Sequence, residues 1–229
     1  MSIADNLKTV QEKIAAAALA SGRRPEDVKL IAVTKTVPAE RVREALAAGA
    51  ERIGENRVQE LLSKLPALGG VEAHLIGQLQ SNKARMVVGK AACIHSVDRL
   101  SLAQELERCA AKQGVTQDIL LEVNIGKDPA KGGVMPELLG ELIAGVLALP
   151  HLRLCGLMTV PPICPPEEAR GYFAGLRELR NGMQAQFPAA DLSELSMGMS
   201  ADYPEAVMEG ATMVRVGSAI FGKREKFLN

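Results

Sequence analysis

The 229 residues carry 27 basic side chains against 27 acidic ones, with 47% of positions hydrophobic and 24% charged. That balance belongs to an ordinary globular chain, and no basic excess exists to hold nucleic acid or a membrane surface, so neither is expected as a partner. The four cysteines (Cys93, Cys109, Cys155, Cys164) show no C-x-x-C pairing and no histidine at zinc spacing, so no metal site is read from them. Cys93 and Cys155 stand in apolar, strand-like runs and read as small buried hydrophobes. Without a leader-like h-region or a run of membrane-spanning length, the expectation is a reduced, cytoplasmic protein.

From the N-terminus, Met1 to Ser21 reads as an amphipathic helix, because Ile3, Leu7, Val10, Ile14 and Ala17–Ala18 recur at helical spacing and Gly22 and Pro25 stop it. The chain then alternates. Strands are predicted at Lys29–Thr34, Arg52–Glu55, Ala73–Gly77, Cys93–Val97, Ile119–Asn124, Leu152–Thr159, Glu194–Gly198 and Met213–Gly217. Helices are predicted between them at Ala39–Ala48, Val58–Leu65, Asn82–Val88, Arg99–Lys112, Pro136–Leu149, Pro166–Gln186 and Tyr203–Glu209. Strand and helix in alternation imply parallel β-α units. The length and the lack of a second composition regime favour a single (β/α)8 barrel over residues 1–229 with an extra N-terminal helix, a doubly wound open sheet being the alternative.

In a barrel, functional groups lie just after the strands, on the C-terminal face. Polar residues gather there: Glu55, Asn56, Arg57 and Gln59 after the second strand, Gln78, Gln80, Asn82 and Lys83 after the third, and Asn124 before the 126–133 loop. Capping alone accounts for part of this. Two segments carry more chemistry. Ala32-Val33-Thr34-Lys35 places a lysine at the exit of the first strand, and Pro38 then opens a helix. Near the far end, Ser196-Met197-Gly198-Met199-Ser200 and Val214-Arg215-Val216-Gly217-Ser218 follow the last two strands, where barrels commonly bind phosphate. Ser200 and Ser218 offer hydroxyls and Gly217 a close backbone approach. Neither a Walker A motif nor G-x-G-x-x-G is present, which disfavours a nucleotide.

Arg215 lies inside an apolar strand and needs a partner, since an unpaired buried charge costs several kcal/mol. The partner is either a barrel carboxylate, Glu55 or Glu122, or an unprotonated ring nitrogen of a bound cofactor. The first and eighth strands of a closed barrel are neighbours, so Lys35, the phosphate donors and Arg215 converge. An amine, a phosphate anchor and a pyridine partner are what pyridoxal phosphate requires.

At these residues the chain resembles the pyridoxal-phosphate homeostasis proteins (the YggS/PROSC family). The resemblance is carried by 32–35, 53–60 (Ile-Gly-Glu-Asn-Arg-Val-Gln-Glu), 74–83 (His-Leu-Ile-Gly-Gln-Leu-Gln-Ser-Asn-Lys), 156–159, 196–202 and 214–222. It implies an alanine-racemase-type barrel without that enzyme's C-terminal β-domain, and pyridoxal 5'-phosphate held as an aldimine on Lys35. Ser200, Gly217 and Ser218 would hold the phosphate, Arg215 would face the pyridine nitrogen, and Asn56 and Met158 would lie near the ring. Asp128 stands where the family pattern leads us to expect glutamate. The function implied is carriage or buffering of the cofactor in vitamin B6 homeostasis, with apo-enzymes as recipients.

The alternative is a racemase or lyase, because bacterial alanine racemases share the barrel, the lysine and an Arg-x-Gly phosphate strand. Racemisation needs a second base. The tyrosines are Tyr172, in a helix, and Tyr203, beside the phosphate loop, while His74, His95 and His151 read as satisfied core histidines. The non-catalytic reading is therefore preferred. Barrel closure hides every strand edge, and a monomer is expected.

Overall fold

Eight parallel strands close on themselves in chain order, β1 pairing with β2 on one side and with β8 on the other. They are β1 (Lys29–Val33), β2 (Arg52–Glu55), β3 (Glu72–Leu75), β4 (Cys93–Val97), β5 (Gln117–Glu122), β6 (Leu152–Met158), β7 (Glu194–Ser196) and β8 (Met213–Val216). The helices are α1 (Ile3–Ala20), α2 (Ala39–Ala47), α3 (Val58–Lys64), α4 (Ala84–Val87), α5 (Leu100–Gln113), α6 (Leu139–Leu147), α7 (Pro166–Gln186), α8 (Tyr203–Met208) and α9 (Ser218–Phe221). The computed structural model describes residues 2–222; Met1 of the predicted first helix and residues 223–229 of the predicted single domain lie outside them.

The closed barrel, not the open sheet, is the observed architecture, and the predicted strands all occur, several of them shorter by one or two residues. The main differences are in short helices. The segment predicted as helix over Asn82–Val88 is a 3₁₀ turn at Ser81–Lys83 followed by the single turn of α4, and α9 was not expected. α1 begins with a capping box, in which the Ser2 hydroxyl accepts the Asp5 N–H and Asp5 accepts the Ser2 N–H. Its buried face, Ile3, Leu7, Val10 and Ile14, packs on α8 and α9, each such side chain contributing about 1.5–3 kcal/mol by burial.

Two apolar layers hold the molecule together. The larger lies between strands and helices; the smaller fills the barrel interior with Ile31, Cys93, Leu120, Met158 and Met213. Side chains of a strand alternate between these layers. The interior also contains His74, His95, Ser196 and Arg215, all nearly or fully buried. Strand register slips between β5 and β6 at Ile119/Leu120, where Gly156 sits at φ 155° and a Cβ would fall 1.9 Å from the Glu194 carbonyl. Only glycine lets β7 come that close to β6.

Cys93 is buried as expected, whereas Cys155 is half-buried; all four cysteines are free thiols. His74 and His95 are core residues, but His151 is not: it lies at the surface with Nδ1 2.6 Å from Glu107. Among the described residues no helix is long and apolar enough to cross a membrane.

Candidate functional site

The C-terminal mouth of the barrel holds a cavity of about 350 Å³ whose wall brings the two halves of the chain together. From the N-terminal half come Val33, Lys35, Asn56 and Ile76; from the C-terminal half come Val160, Met199, Ser200, Ala201, Arg215, Gly217 and Ser218. The alternation along β1 explains Lys35: Ile31 and Val33 point inward, and Lys35 continues the same face past the strand end.

The turn that carries Lys35 is fixed from behind. Thr36 has a left-handed φ of 63°, unfavourable for a β-branched residue, and its N–H is held by Glu60 Oε1 at 2.5 Å. Lys64 Nζ, buried on α3, donates to the Thr34 carbonyl (2.6 Å), Glu55 Oε1 (2.6 Å) and Glu60 Oε1 (2.9 Å), and Thr34 Oγ1 donates to Glu55 Oε1 at 2.5 Å. Glu55 therefore faces outward, toward α3. Its burial pushes the carboxyl pKa up, and the Lys64 and Thr34 hydrogen bonds pull it back.

The two loops opposite Lys35 are stitched to each other. Arg215 N–H donates to the Gly198 carbonyl (3.0 Å), and Asp202 Oδ1 accepts the Met199 N–H (2.6 Å) to close the turn before α8. Gly198, at φ 91°, has no room for a Cβ, which would lie 2.5 Å from that of Ala206. Ser200 Oγ accepts the N–H of Gly217 at 3.1 Å and of Ala219 at 3.4 Å. Two backbone donors thus already point at an oxygen atom, and Gly217 lies so close to β1 that a Cβ would sit 3.2 Å from the Val33 carbonyl.

Arg215 is 3% exposed, yet neither carboxylate considered from the sequence pairs with it. Glu55 points out of the barrel, and Glu122 accepts from Gln78 Nε2 at 2.6 Å. Arg215 instead donates through Nη1 to Ser196 Oγ (2.8 Å) and through Nη2 to the Thr159 carbonyl (2.8 Å). Burial brings its pKa down to about 10, opposed by the charges of Glu122 and Asp202. Glu122 is itself pushed up to about 7, first by burial and then by Asp98, against the pull of Arg215 and Gln78.

Six of the seven expected site residues, Lys35, Asn56, Ser200, Arg215, Gly217 and Ser218, line one cavity. Met158 does not: it is 1% exposed and packs in the barrel interior with Ile31 and Leu120, while Val160, two residues on, reaches the cavity. Sequence reading missed Val33, Ile76 and Ser196, which strand alternation counted back from Lys35, Gln78 and Gly198 would have placed on the interior face. Lys64 carried no such signal. Asp128 accepts the Ala130 N–H at 2.9 Å within its own loop, and Asn124 ties that loop down by donating to the Asp128 carbonyl at 2.8 Å.

Residues 2–225 match the family model described as alanine racemase, N-terminal domain. A pyridoxal phosphate homeostasis protein from Aquifex aeolicus is 46% identical over 98% of this chain and 100% of its own length. The chain belongs to the pyridoxal phosphate homeostasis protein family. The same likeness holds in three dimensions. PipY of Synechococcus elongatus, solved with PLP bound, superposes with a TM-score of 0.84 at 40% identity, covering 96% of this chain and all of that one. An alanine racemase from Clostridium difficile, 18% identical, superposes at 0.73 over 97% of this chain and 61% of its own, which shows the shared barrel fold. The resemblance seen in the motifs of this family is therefore borne out over nearly the whole chain.

Proposed function

We propose that this chain binds pyridoxal 5'-phosphate at the C-terminal mouth and acts in its homeostasis as a carrier rather than a catalyst. The observation that carries the reading is the convergence of Lys35, Ser200, Ser218, Gly217 and Arg215 on one cavity, in a family whose member PipY has been solved with PLP bound. The donor set fits the group. Pyridoxal phosphate supplies an aldehyde that condenses reversibly with a primary amine. Lys35 is the amine. The N–H groups of Gly217 and Ala219, now satisfied by Ser200 Oγ, together with the Ser200 and Ser218 hydroxyls, form a cradle for an oxyanion. Arg215, always a donor, suits an unprotonated pyridine nitrogen. Asn56 and Ile76 line the same cavity, and Met158 packs in the barrel interior.

The competing reading, an amino-acid racemase or lyase, rests on the shared barrel. A racemase holds a base on each face of its substrate. Among the described residues lining the cavity, Lys35 is the one able to serve as a base, and Tyr203 is buried among core side chains. That composition supports carriage, with apo-enzymes as recipients of the cofactor.

The test is direct. The protein is incubated with pyridoxal phosphate, reduced with borohydride and digested. Mass spectrometry should find the reduced cofactor on the peptide containing Lys35, and Lys35→Ala should lose it. Attachment at another lysine, such as Lys83, would overturn the assignment.

A further inference from the structure

A line of hydrogen bonds runs along the barrel interior from Arg215 to the opposite, N-terminal mouth. Arg215 Nη1 is 2.8 Å from Ser196 Oγ, which is 2.9 Å from His95 Nδ1. His95 Nε2 is 2.8 Å from His74 Nδ1, and His74 Nε2 is 3.0 Å from Glu72 Oε1. The residues come from β8, β7, β4 and β3, and Ser196, His95 and His74 are at most 2% exposed. Glu72 is the solvent end, lining the N-terminal mouth with His74 and Cys93.

The direction of this line follows from its two ends. A guanidinium has donors only, so Ser196 Oγ accepts from Arg215. The hydroxyl proton then goes to His95 Nδ1, which must be unprotonated. A neutral imidazole has one N–H, here on Nε2, which donates to His74 Nδ1. His74 in turn has its proton on Nε2 and donates to the Glu72 carboxylate. With both imidazoles neutral, the reversed chain fails at the last link, because it would set the lone pair of His74 Nε2 against a carboxylate oxygen. A buried hydroxyl proton on Ser196 would also lose its acceptor in His95. Burial, then the neighbouring His74 and Arg215, hold the His95 pKa well below the usual imidazole range, in keeping with the neutral form. All four ring nitrogens are engaged, so the convergence of His74 and His95 with Cys93 is accounted for without a metal.

We infer that Ser196, His95 and His74 are positioning residues for Arg215. They lock the guanidinium in one orientation on the cavity wall, and Glu72 at the far mouth selects the histidine tautomer that makes this possible. Arg215 spends Nη1 on Ser196, in β7, and Nη2 on the Thr159 carbonyl, one residue past the end of β6. The plane of the guanidinium is thereby set, and with it the direction of its remaining N–H bonds. That these meet a pyridine nitrogen rests on the function proposed above; the locking itself does not.

The test has one arm without cofactor and one with it. In the cofactor-free protein, nitrogen NMR of the imidazoles should show both His74 and His95 neutral, protonated on Nε2. Rotation of the Arg215 guanidinium should be slow in the wild type and fast in Ser196→Ala. A proton on His95 Nδ1, or fast Arg215 rotation in the wild type, overturns the proposal. With pyridoxal phosphate, Ser196→Ala and His95→Leu should bind about tenfold more weakly, the size expected for one hydrogen bond to a charged group, with a displaced visible absorption band. His95→Asn keeps an acceptor where Nδ1 stood and should restore wild-type affinity and band. Equal affinity and an unmoved band in all three variants also overturn it. If wild-type protein takes up no pyridoxal phosphate, the cofactor reading fails, while the tautomer and rotation measurements still decide the locking.

Discussion

Arg215 meets Ser196 rather than a carboxylate, its Nη1 lying 2.8 Å from Ser196 Oγ. The two residues stand on neighbouring strands, β8 and β7, and both project into the barrel. A carboxylate there would have neutralised the guanidinium. A hydroxyl leaves the positive charge intact, and the charges of Glu122 and Asp202 temper it at longer range.

The phosphate cradle predicts a graded loss of affinity. Each of Ser200 and Ser218 should contribute ~1.5–3 kcal/mol as a charge-assisted hydrogen bond to a phosphate. Replacing both with alanine should weaken binding of pyridoxal phosphate at least a hundredfold in an absorbance titration, and Tyr203→Phe should change it little. Unaltered affinity in the double variant would place the phosphate elsewhere.

Lys64 should matter for stability more than any surface lysine. Lys64→Met removes the cation from Glu55, which is fully buried, and from the Thr34 carbonyl and Glu60. Breaking a buried pair from one side typically costs about 3–5 kcal/mol, read from urea unfolding. Because Thr34 and Thr36 flank Lys35, trapping of the cofactor by borohydride should also slow. Replacing Glu55 with leucine in the same chain should recover part of the stability.

Glu122 gives a pH dependence with a defined sign. Its folded pKa of about 7 lies above the ordinary 4.5, so the native state binds more protons between those values than the unfolded chain does. Stability from this group is present in full below pH 4.5 and is lost as pH rises through 7, by on the order of 3 kcal/mol. Asp202 and Glu55 are also pushed up by burial and act in the same direction. The comparison is therefore the difference between wild type and Glu122→Gln, in the cofactor-free protein. The variant should gain relative stability between pH 5 and pH 8. A constant difference would show that Glu122 is ionised throughout.

Carrier and enzyme part in heavy water. Protein loaded with pyridoxal phosphate and incubated with single L-amino acids should exchange the α-proton no faster than free cofactor, yet should pass cofactor to an apo-enzyme. Sustained exchange over many turnovers, abolished by Lys35→Ala, would replace carriage with a racemase or transaminase-like activity.

Much of this molecule is legible in one dimension. Apolar runs of strand length alternating with helical patterns specify the β-α units, because burial on both faces of a parallel strand demands continuous hydrophobicity. Lys35, Ser200, Gly217 and Ser218 are legible too, since barrels place their chemistry after strands. Partners are another matter. Glu55 read as a neighbour for Arg215, but strand alternation turns it outward to Lys64, a helix residue with no mark of its own. Met158 was expected near the ring, and a register slip at Gly156 leaves it in the interior layer with Ile31 and Leu120. His74 and His95 read as satisfied core residues, and they are. What satisfies them lies on other strands, with Ser196 101 residues beyond His95. Local patterning decides which face a side chain takes; closure of the barrel decides whose side chain it meets there.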